Sequence, residues 1–499
     1  AAATPFDGLS LLSPGRRHLD DVLEQVGLSP RQIGAVLICG IGNAVDATEI
    51  LSIGYVLPKL SLNEHQKALI SGAVFFGMLI GGLTLGVLAD RVGRKRTLAL
   101  AMALNALFGL LCALSTLWAA HGELLWWLVV FRFGAGFGVG GSVPVVFPLA
   151  AELVPSQHRG MVVTLGVASF WMVGSIFAAS MAWIMLGIHD MHWAWYLGVC
   201  AAPGFICFVL TVTVLPESPR YLLINGKERE AVAMLRSFAK SNRREELLDP
   251  DLILFVPHAD KGYDDVAQSP IERIRSTVAP LFASSVRRQF GLLCIVWLAL
   301  NFGWYGLLLW FPTLFKDRHI DEKNVYKSTF FVAIANLPGN VVSSIVVDII
   351  GRRWLLTGSM FLAAISSIFF LYARTTLEAT LAACVFNAVS MGAWNSLDVL
   401  SSELFATTTR GTAIGVLAAV GRVGSFVAQQ VNGALVKQSP GLVLAVSAAF
   451  LSVGSVAAVL LPETMGRRLG DAGGDEDEED SNTLDGADDE RTDYWPPAQ

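Results

Sequence analysis

The chain has 499 residues, 53% hydrophobic and only 16% charged, with a mean hydropathy of +0.54. A soluble domain carries about 25% charged residues, and the apolar residues here come in runs of about 20, the length that crosses roughly 30 Å of hydrocarbon; a water-soluble enzyme and a nucleic-acid binder are excluded. The formal net charge is −6, yet Asp471 to Asp493 holds twelve acids and one Arg, or −11, which leaves +5 for the remainder.

Residues 1–31 form a polar N-terminal segment in which His18 to Val26 fits a short amphipathic helix on the membrane surface. Twelve apolar spans are predicted at about 33–57, 68–89, 97–118, 124–148, 161–186, 194–214, 290–314, 328–347, 354–373, 379–400, 412–436 and 441–461. The first is expected to act as its own targeting signal. Spans one to six occupy residues 32–215 and spans seven to twelve residues 290–462. Between them, 216–289 is a polar linker with short helices; in Glu228–Lys240, Ala231, Met234, Leu235 and Phe238 share a face. Residues 463–499 form a Gly/Asp/Glu-rich tail expected to be disordered, a solubilising segment or a dock for a basic partner.

The two sets of six repeat one another. Asp90-Arg91-Val92-Gly93-Arg94-Lys95 recurs as Asp348-Ile349-Ile350-Gly351-Arg352-Arg353, offset by 258. Glu152…Arg159-Gly160 recurs as Glu403…Arg410-Gly411, offset by 251, and Leu215-Pro216-Glu217 as Leu461-Pro462-Glu463, offset by 246. Ordered matches at nearly constant offset indicate duplication, and an even number of spans per repeat makes the halves parallel. The predicted fold is therefore an all-α polytopic membrane protein of twelve transmembrane helices in two parallel six-helix halves. Loops after even-numbered spans, with the termini near the bundle, hold 25 Lys/Arg against eight in the other loops. That bias places both termini in the cytoplasm.

Inside the first span, Asn43, Asp46 and Glu49 fall at i, i+3, i+6 and share one face. A carboxylate at this depth costs several kcal/mol, so two of them require a polar cavity, a counter-ion or a proton. In span four Arg132 precedes Gly134, Gly136, Gly138, Gly140 and Gly141. It also needs a counter-ion, and Asp46 or Glu49 is the natural one; the glycines let neighbouring helices approach. Span seven aligns Asn301, Trp304 and Tyr305, span ten Asn387, Met391, Trp394 and Asp398, and span eleven Arg422, Phe426 and Gln429. Such mixed aromatic and polar stripes suit a small-molecule site.

The two Asp-x-x-Gly-Arg turns, with Asp90, Arg94, Asp348 and Arg352, are expected to form charge clusters with Glu152, Arg159, Glu403 and Arg410 and to act as gates on one side of the membrane. The six cysteines read as buried small hydrophobes and His189 with His192 are too few for a metal, so no metal or cofactor is expected. No nucleophile–base constellation suggests an enzyme.

Gly86-Val-Leu-Ala-Asp90-Arg91-Val-Gly93-Arg94-Lys95 resembles the signature loop of the major facilitator superfamily, and Pro216-Glu217-Ser218-Pro219-Arg220 resembles its sugar-porter and organic-ion-transporter branch. Phe170-Trp171-Met172-Val173-Gly174, Trp304-Tyr305-Gly306, Trp310-Phe311-Pro312 and Ala393-Trp394-Asn395-Ser396-Leu397-Asp398-Val399-Leu400 are similar to the synaptic vesicle glycoprotein two family and its relatives, as is Asp46-Ala-Thr-Glu49 in span one. The chain departs from that family in two ways. Lys316–Lys327 leaves no room for its large lumenal domain, and Ala406 stands where relatives commonly have Pro.

The resemblance implies a multi-pass transporter in the plasma membrane or an intracellular vesicle membrane. The expected function is proton-coupled secondary transport of a small polar organic solute, with Asp46 and Glu49 binding the proton and Arg132 tuning them. Asn43, Trp171, Asn301, Trp304, Tyr305, Trp394, Asn395, Asp398 and Arg422 are the expected solute contacts. A sugar or polyol and an organic cation rank level as solute; an anion would require Arg132 or Arg422 to be unpaired. The other expectation is a membrane protein that binds a small ligand without transporting it. The chain is expected to act as a monomer.

Overall fold

The computed structural model describes residues 16–117, 123–249, 252–255, 278–317, 322–405 and 409–465. The acidic run, Ala406 and 256–277 of the linker lie outside the described residues. Among the described residues, twelve helices are long and apolar enough to cross a membrane: Pro30–Lys59, Glu64–Val92, Arg94–Leu117, Leu124–Leu153, Ser156–Ile188, Trp193–Thr213, Val286–Asp317, Lys323–Ile350, Arg352–Tyr372, Thr376–Glu403, Arg410–Leu435 and Pro440–Val459. They are spans one to twelve. Their number places the two ends of the bundle's chain on one face, the terminus end; the opposite face is the far end.

Local chemistry sets the span boundaries. Ser29 and Gln32 form a reciprocal capping box, with Pro30 in the first turn of span one. Asn63 and Gln66 do the same for span two. Spans two and three meet at Gly93, φ +113°, and spans eight and nine at Gly351, φ +97°. Both angles lie where side chains are strongly disfavoured, so each Asp-x-x-Gly-Arg motif turns a corner on its glycine.

Span four packs intimately on span two. At Gly77, Gly81, Gly136 and Gly140 an added Cβ would run into the backbone of the facing helix. Span five contains two π-helical stretches, Thr164–Ala168 and Ala182–Ile188. Span eight is interrupted between Ile334 and Asn336, just before Pro338.

The halves meet toward the far end. Lys316 donates to the Pro58 carbonyl at 2.9 Å, Tyr326 to Tyr55 at 3.2 Å and Gln430 to Ala68 at 3.0 Å. At mid-depth the seam is aromatic, with ring centroids of Phe75 and Tyr305 at 5.0 Å, Phe76 and Phe426 at 5.9 Å, and Trp171 and Trp304 at 6.2 Å. Nearer the terminus end, Asp398 is exposed although protein surrounds it at longer range, the combination of a side chain on the wall of an open cavity. The arrangement faces the terminus end.

Below the first half lies a small extramembrane layer. The N-terminal helix Leu19–Val26 buries Leu19, Val22, Leu23 and Val26 in one apolar cluster with Ala231, Leu235 and Phe238 of the linker helix Glu228–Ser241. Its apolar face thus rests on the linker instead of the membrane surface, where the sequence reading put it. Arg16–His18 pairs in parallel with Ile253–Phe255, in register Arg16↔Ile253 to His18↔Phe255.

Candidate functional site

The polar face of span one resolves into three separate arrangements. Asn43 donates to the Val167 and Ala168 carbonyls at 2.9 and 3.4 Å. A π-stretch releases a carbonyl from the regular ladder, and Asn43 satisfies it; the amide is spent on span five instead of facing a solute. Glu49 accepts from Arg132 Nη1 at 2.5 Å, while Arg132 Nη2 donates to the Glu49 carbonyl at 2.7 Å. Arg132 is 0% and Glu49 3% exposed, so this is a sealed ion pair. Of the two counter-ions expected for Arg132, Glu49 is the one in contact. Asp46, also 0% exposed, accepts through Oδ2 a short hydrogen bond from the Ser142 hydroxyl, and its Oδ1 has no hydrogen-bond partner among the described residues.

Across the seam, Trp304 and Tyr305 on span seven and Trp394 on span ten cluster. Their centroids are 4.7 Å apart for Trp304–Tyr305, 5.5 Å for Trp304–Trp394 and 6.1 Å for Tyr305–Trp394, and Trp171 closes the group at 6.2 and 6.4 Å from Trp304 and Tyr305. Edge-to-face geometry at these separations favours aromatic pairs. Trp304 is locked by its Nε1 donating to Asn387 at 3.0 Å. Trp394 is partly exposed while its Nε1 is buried without an acceptor among the described residues. Arg422 donates to the Tyr305 hydroxyl at 3.3 Å and sits 5.7 Å from its ring centroid. Asp398 lies one helical turn from Trp394 toward the opening. Tyr305 is the hub, within electrostatic reach of Asp46, Asp398 and Arg422 together.

Two expected solute contacts point elsewhere. Asn395 donates to Asn340 and Ser343 at 2.8 and 2.7 Å, tying span ten to span eight. Asn301 donates to the Trp297 carbonyl at 2.8 Å and accepts from Ser425 at 3.2 Å, tying span seven to span eleven. Ser142, which sequence spacing did not single out, is the direct partner of Asp46. Ten residues separate it from Arg132 on span four, and only the fold reveals that both meet span one. Beyond Trp304, a small cavity lined by Tyr55, Ser175, Thr329, Asn336 and Asn387 lies toward the far end.

At the terminus end each half closes its own charge cluster. Asp90 and Arg94 pair at 2.9 Å, as do Asp348 and Arg352 at 3.0 Å. Glu217 accepts from the Lys95 amide at 2.9 Å, and Glu463 from the Arg352 and Arg353 amides at 2.9 and 3.2 Å. Each acid therefore caps the helix that starts after the positive-φ glycine. Ser218 donates to Glu152 and Thr464 to Glu403 by equivalent short hydrogen bonds.

The expected pairing of Glu152 with Arg159, and of Glu403 with Arg410, is not what the structure shows. Glu403 instead meets Arg352 at 3.4 Å, and Arg410 donates to the Phe405 carbonyl at 3.4 Å. Arg159 reaches Asp20 of the N-terminal helix at 3.1 Å, and Arg220 reaches the same carboxylate at 2.8 Å. Burial alone would raise the Asp20 carboxyl, but hydrogen bonds and charge from Arg220, then Arg159, hold it below the usual carboxylate range.

Residues 43–473 match the family model described as "Sugar (and other) transporter". The chain is 25% identical to synaptic vesicle glycoprotein 2C of Mus musculus over 89% of this chain and 80% of that protein. It is 23% identical to synaptic vesicle glycoprotein 2A of Rattus norvegicus over 91% and 80%. Among solved structures, a partially occluded inward open conformation of the xylose transporter XylE from E. coli superposes with a TM-score of 0.68 at 19% identity, covering 88% of this chain and all of that one. The proton:xylose symporter bound to 6-bromo-6-deoxy-D-glucose gives 0.63 at 20% identity over 88% and 97%. The fold is that of the major facilitator superfamily.

Proposed function

Because the chain belongs to the sugar (and other) transporter family, we propose that it is a proton-coupled secondary active transporter that carries a small polar organic solute by alternating access. The observation that carries this reading is Asp46: a fully buried carboxylate with one oxygen held by Ser142 and the other without a partner among the described residues. Its neighbour one turn away, Glu49, is already neutralised by Arg132. An isolated ionised carboxylate is costly in a dry interior, so Asp46 is the group whose proton occupancy follows the state of the cavity, while Glu49–Arg132 is a constant pair. Trp171, Trp304, Tyr305 and Trp394 supply the solute wall, with Asp398 and Arg422 as its charged groups. The family name and the sugar-bound structural relative support a sugar or polyol. An organic cation would use the indole faces with Asp398.

The excess of basic residues supports reading the terminus end as cytoplasmic, and on that reading the state is inward-facing. In the cycle, the far-end contacts of Tyr55, Pro58 and Ala68 separate as the gate clusters around Asp90 and Asp348 come together. Proteoliposomes test the coupling. An imposed pH gradient is expected to drive uptake in the wild-type chain. Asp46→Asn is expected to abolish that drive while solute counterflow persists. Unchanged gradient-driven uptake by Asp46→Asn overturns the assignment of the proton to Asp46. The second reading, a ligand-binding protein that does not transport, rests on the similarity to the synaptic vesicle glycoproteins; saturable binding without counterflow would favour it.

A further inference from the structure

Among the described residues, Arg422 is a cation of this cavity that no carboxylate holds in an ion pair. Arg132 is consumed by Glu49 and a backbone carbonyl. Arg422, partly accessible, has as its hydrogen-bond partner only the neutral Tyr305 hydroxyl, and among the described residues no carboxylate lies within ion-pair distance of it. A guanidinium offers five N–H donors in a planar fork that matches a carboxylate. Two further donors stand beside it without an acceptor among the described residues: the Trp394 indole N–H and the proton of the Tyr305 hydroxyl, whose oxygen is occupied by Arg422. The surrounding surface is ring upon ring, with Trp394 and Trp171 partly exposed and Trp304 and Tyr305 buried behind them.

We propose that the transported solute is a planar aromatic or heteroaromatic monocarboxylate, its carboxylate received by Arg422 and its ring held against Trp394 and Trp171. The inference rests on the reading of this cavity as the transport site and names its solute class. An organic cation would face Arg422 directly. A neutral sugar would leave the guanidinium with no carboxylate in contact when the cavity closes, only the longer-range charge of Asp46 and Asp398, and a buried charge without a contacting partner is penalised. A carboxylate removes that penalty. It also gives the proton on Asp46 a purpose: with Asp46 neutral, Arg422 is free to pair with the solute, and acid and proton cross together. Asp398 sits a turn nearer the opening and is exposed, where solvent and salt screen it.

Binding to the full chain in nanodiscs, followed by tryptophan fluorescence, tests this with 4-hydroxybenzoate, its neutral isostere 4-hydroxybenzamide, D-xylose and tetraethylammonium. Saturable quenching is expected with the acid, with Kd at least about tenfold lower than for the amide, the difference a charge-assisted bidentate contact makes. Arg422→Gln should remove that preference, and Arg422→Lys should restore part of it. Equal binding of acid and amide by the wild-type chain overturns the proposal without relying on any variant. So does saturable binding of D-xylose or tetraethylammonium with none of the acid. Acid binding without counterflow would leave the solute class standing and remove the transport reading.

Discussion

In the first half, two acids and an arginine are sealed among spans one and four, whereas the second half presents indoles, a phenol, amides and an accessible arginine from spans seven, ten and eleven. The duplicated frame is nevertheless the same at the terminus end, where glycine corner, capping glutamate and hydroxyl-to-glutamate bond recur residue for residue. Duplication thus preserved the parts that turn and anchor helices, and the interior stripes diverged. One half came to hold sealed charge, the other an aromatic surface. The halves differ again outside the membrane. Asp20 clamps Arg159 and Arg220 under the first half, while the corresponding Arg410 finds a backbone carbonyl.

This division of labour can be broken most severely at the sealed pair. Arg132→Met leaves Glu49 buried and uncompensated, and a loss of about 3–5 kcal/mol is expected, read as a large drop in melting temperature in detergent. The double variant Arg132→Met with Glu49→Gln should recover much of it. The shared frame is tested next. Gly93→Ala and Gly351→Ala should each cost about 1–3 kcal/mol, because both glycines hold angles that alanine resists and an added Cβ at Gly351 would lie 2.6 Å from Glu463. Similar melting shifts for the two would support equivalence of the corners, and a cost confined to one half would refute it. Trp394→Phe keeps a ring but deletes an unpaired N–H. It should weaken solute binding by about fivefold, the roughly 1 kcal/mol of one net hydrogen bond, with the melting temperature unchanged.

The smallest effect is expected at Asp20. Its carboxyl is depressed in the folded chain, so the unfolded chain binds more protons and the contribution is present above the ordinary carboxylate range. It is lost as pH falls below about 4 toward the folded value. Asp20→Asn should cost under about 1 kcal/mol, as partly exposed ion pairs do. Limited proteolysis of the N-terminal segment should quicken in the variant at neutral pH, and the difference from wild type should vanish in acid.

Span number, the two-half architecture and the repeat were legible because they are written in hydropathy, glycine position and ordered motif recurrence, all local signals. Arg132 announced its need for a counter-ion, yet choosing between Asp46 and Glu49 required the rotation of span four against span one, which no single-helix pattern encodes. The same limit misplaced Asn43, Asn301 and Asn395. An amide on a polar stripe can face a cavity or bind a neighbouring helix, and here all three bind neighbours. Glu152 and Arg159 are close in sequence, but the helix start at Ser156 turns the arginine toward Asp20, 139 residues earlier.

The pairing of Arg16–His18 with Ile253–Phe255 also imposes an order of assembly. Synthesis proceeds at about 5–20 residues per second, so the N-terminal strand waits on the order of ten seconds or more for its partner, while six helices enter the bilayer above it. Until then the apolar face of Leu19, Val22, Leu23 and Val26 has no linker helix to rest on. The first half of the chain is therefore finished on its underside only by residues made after it.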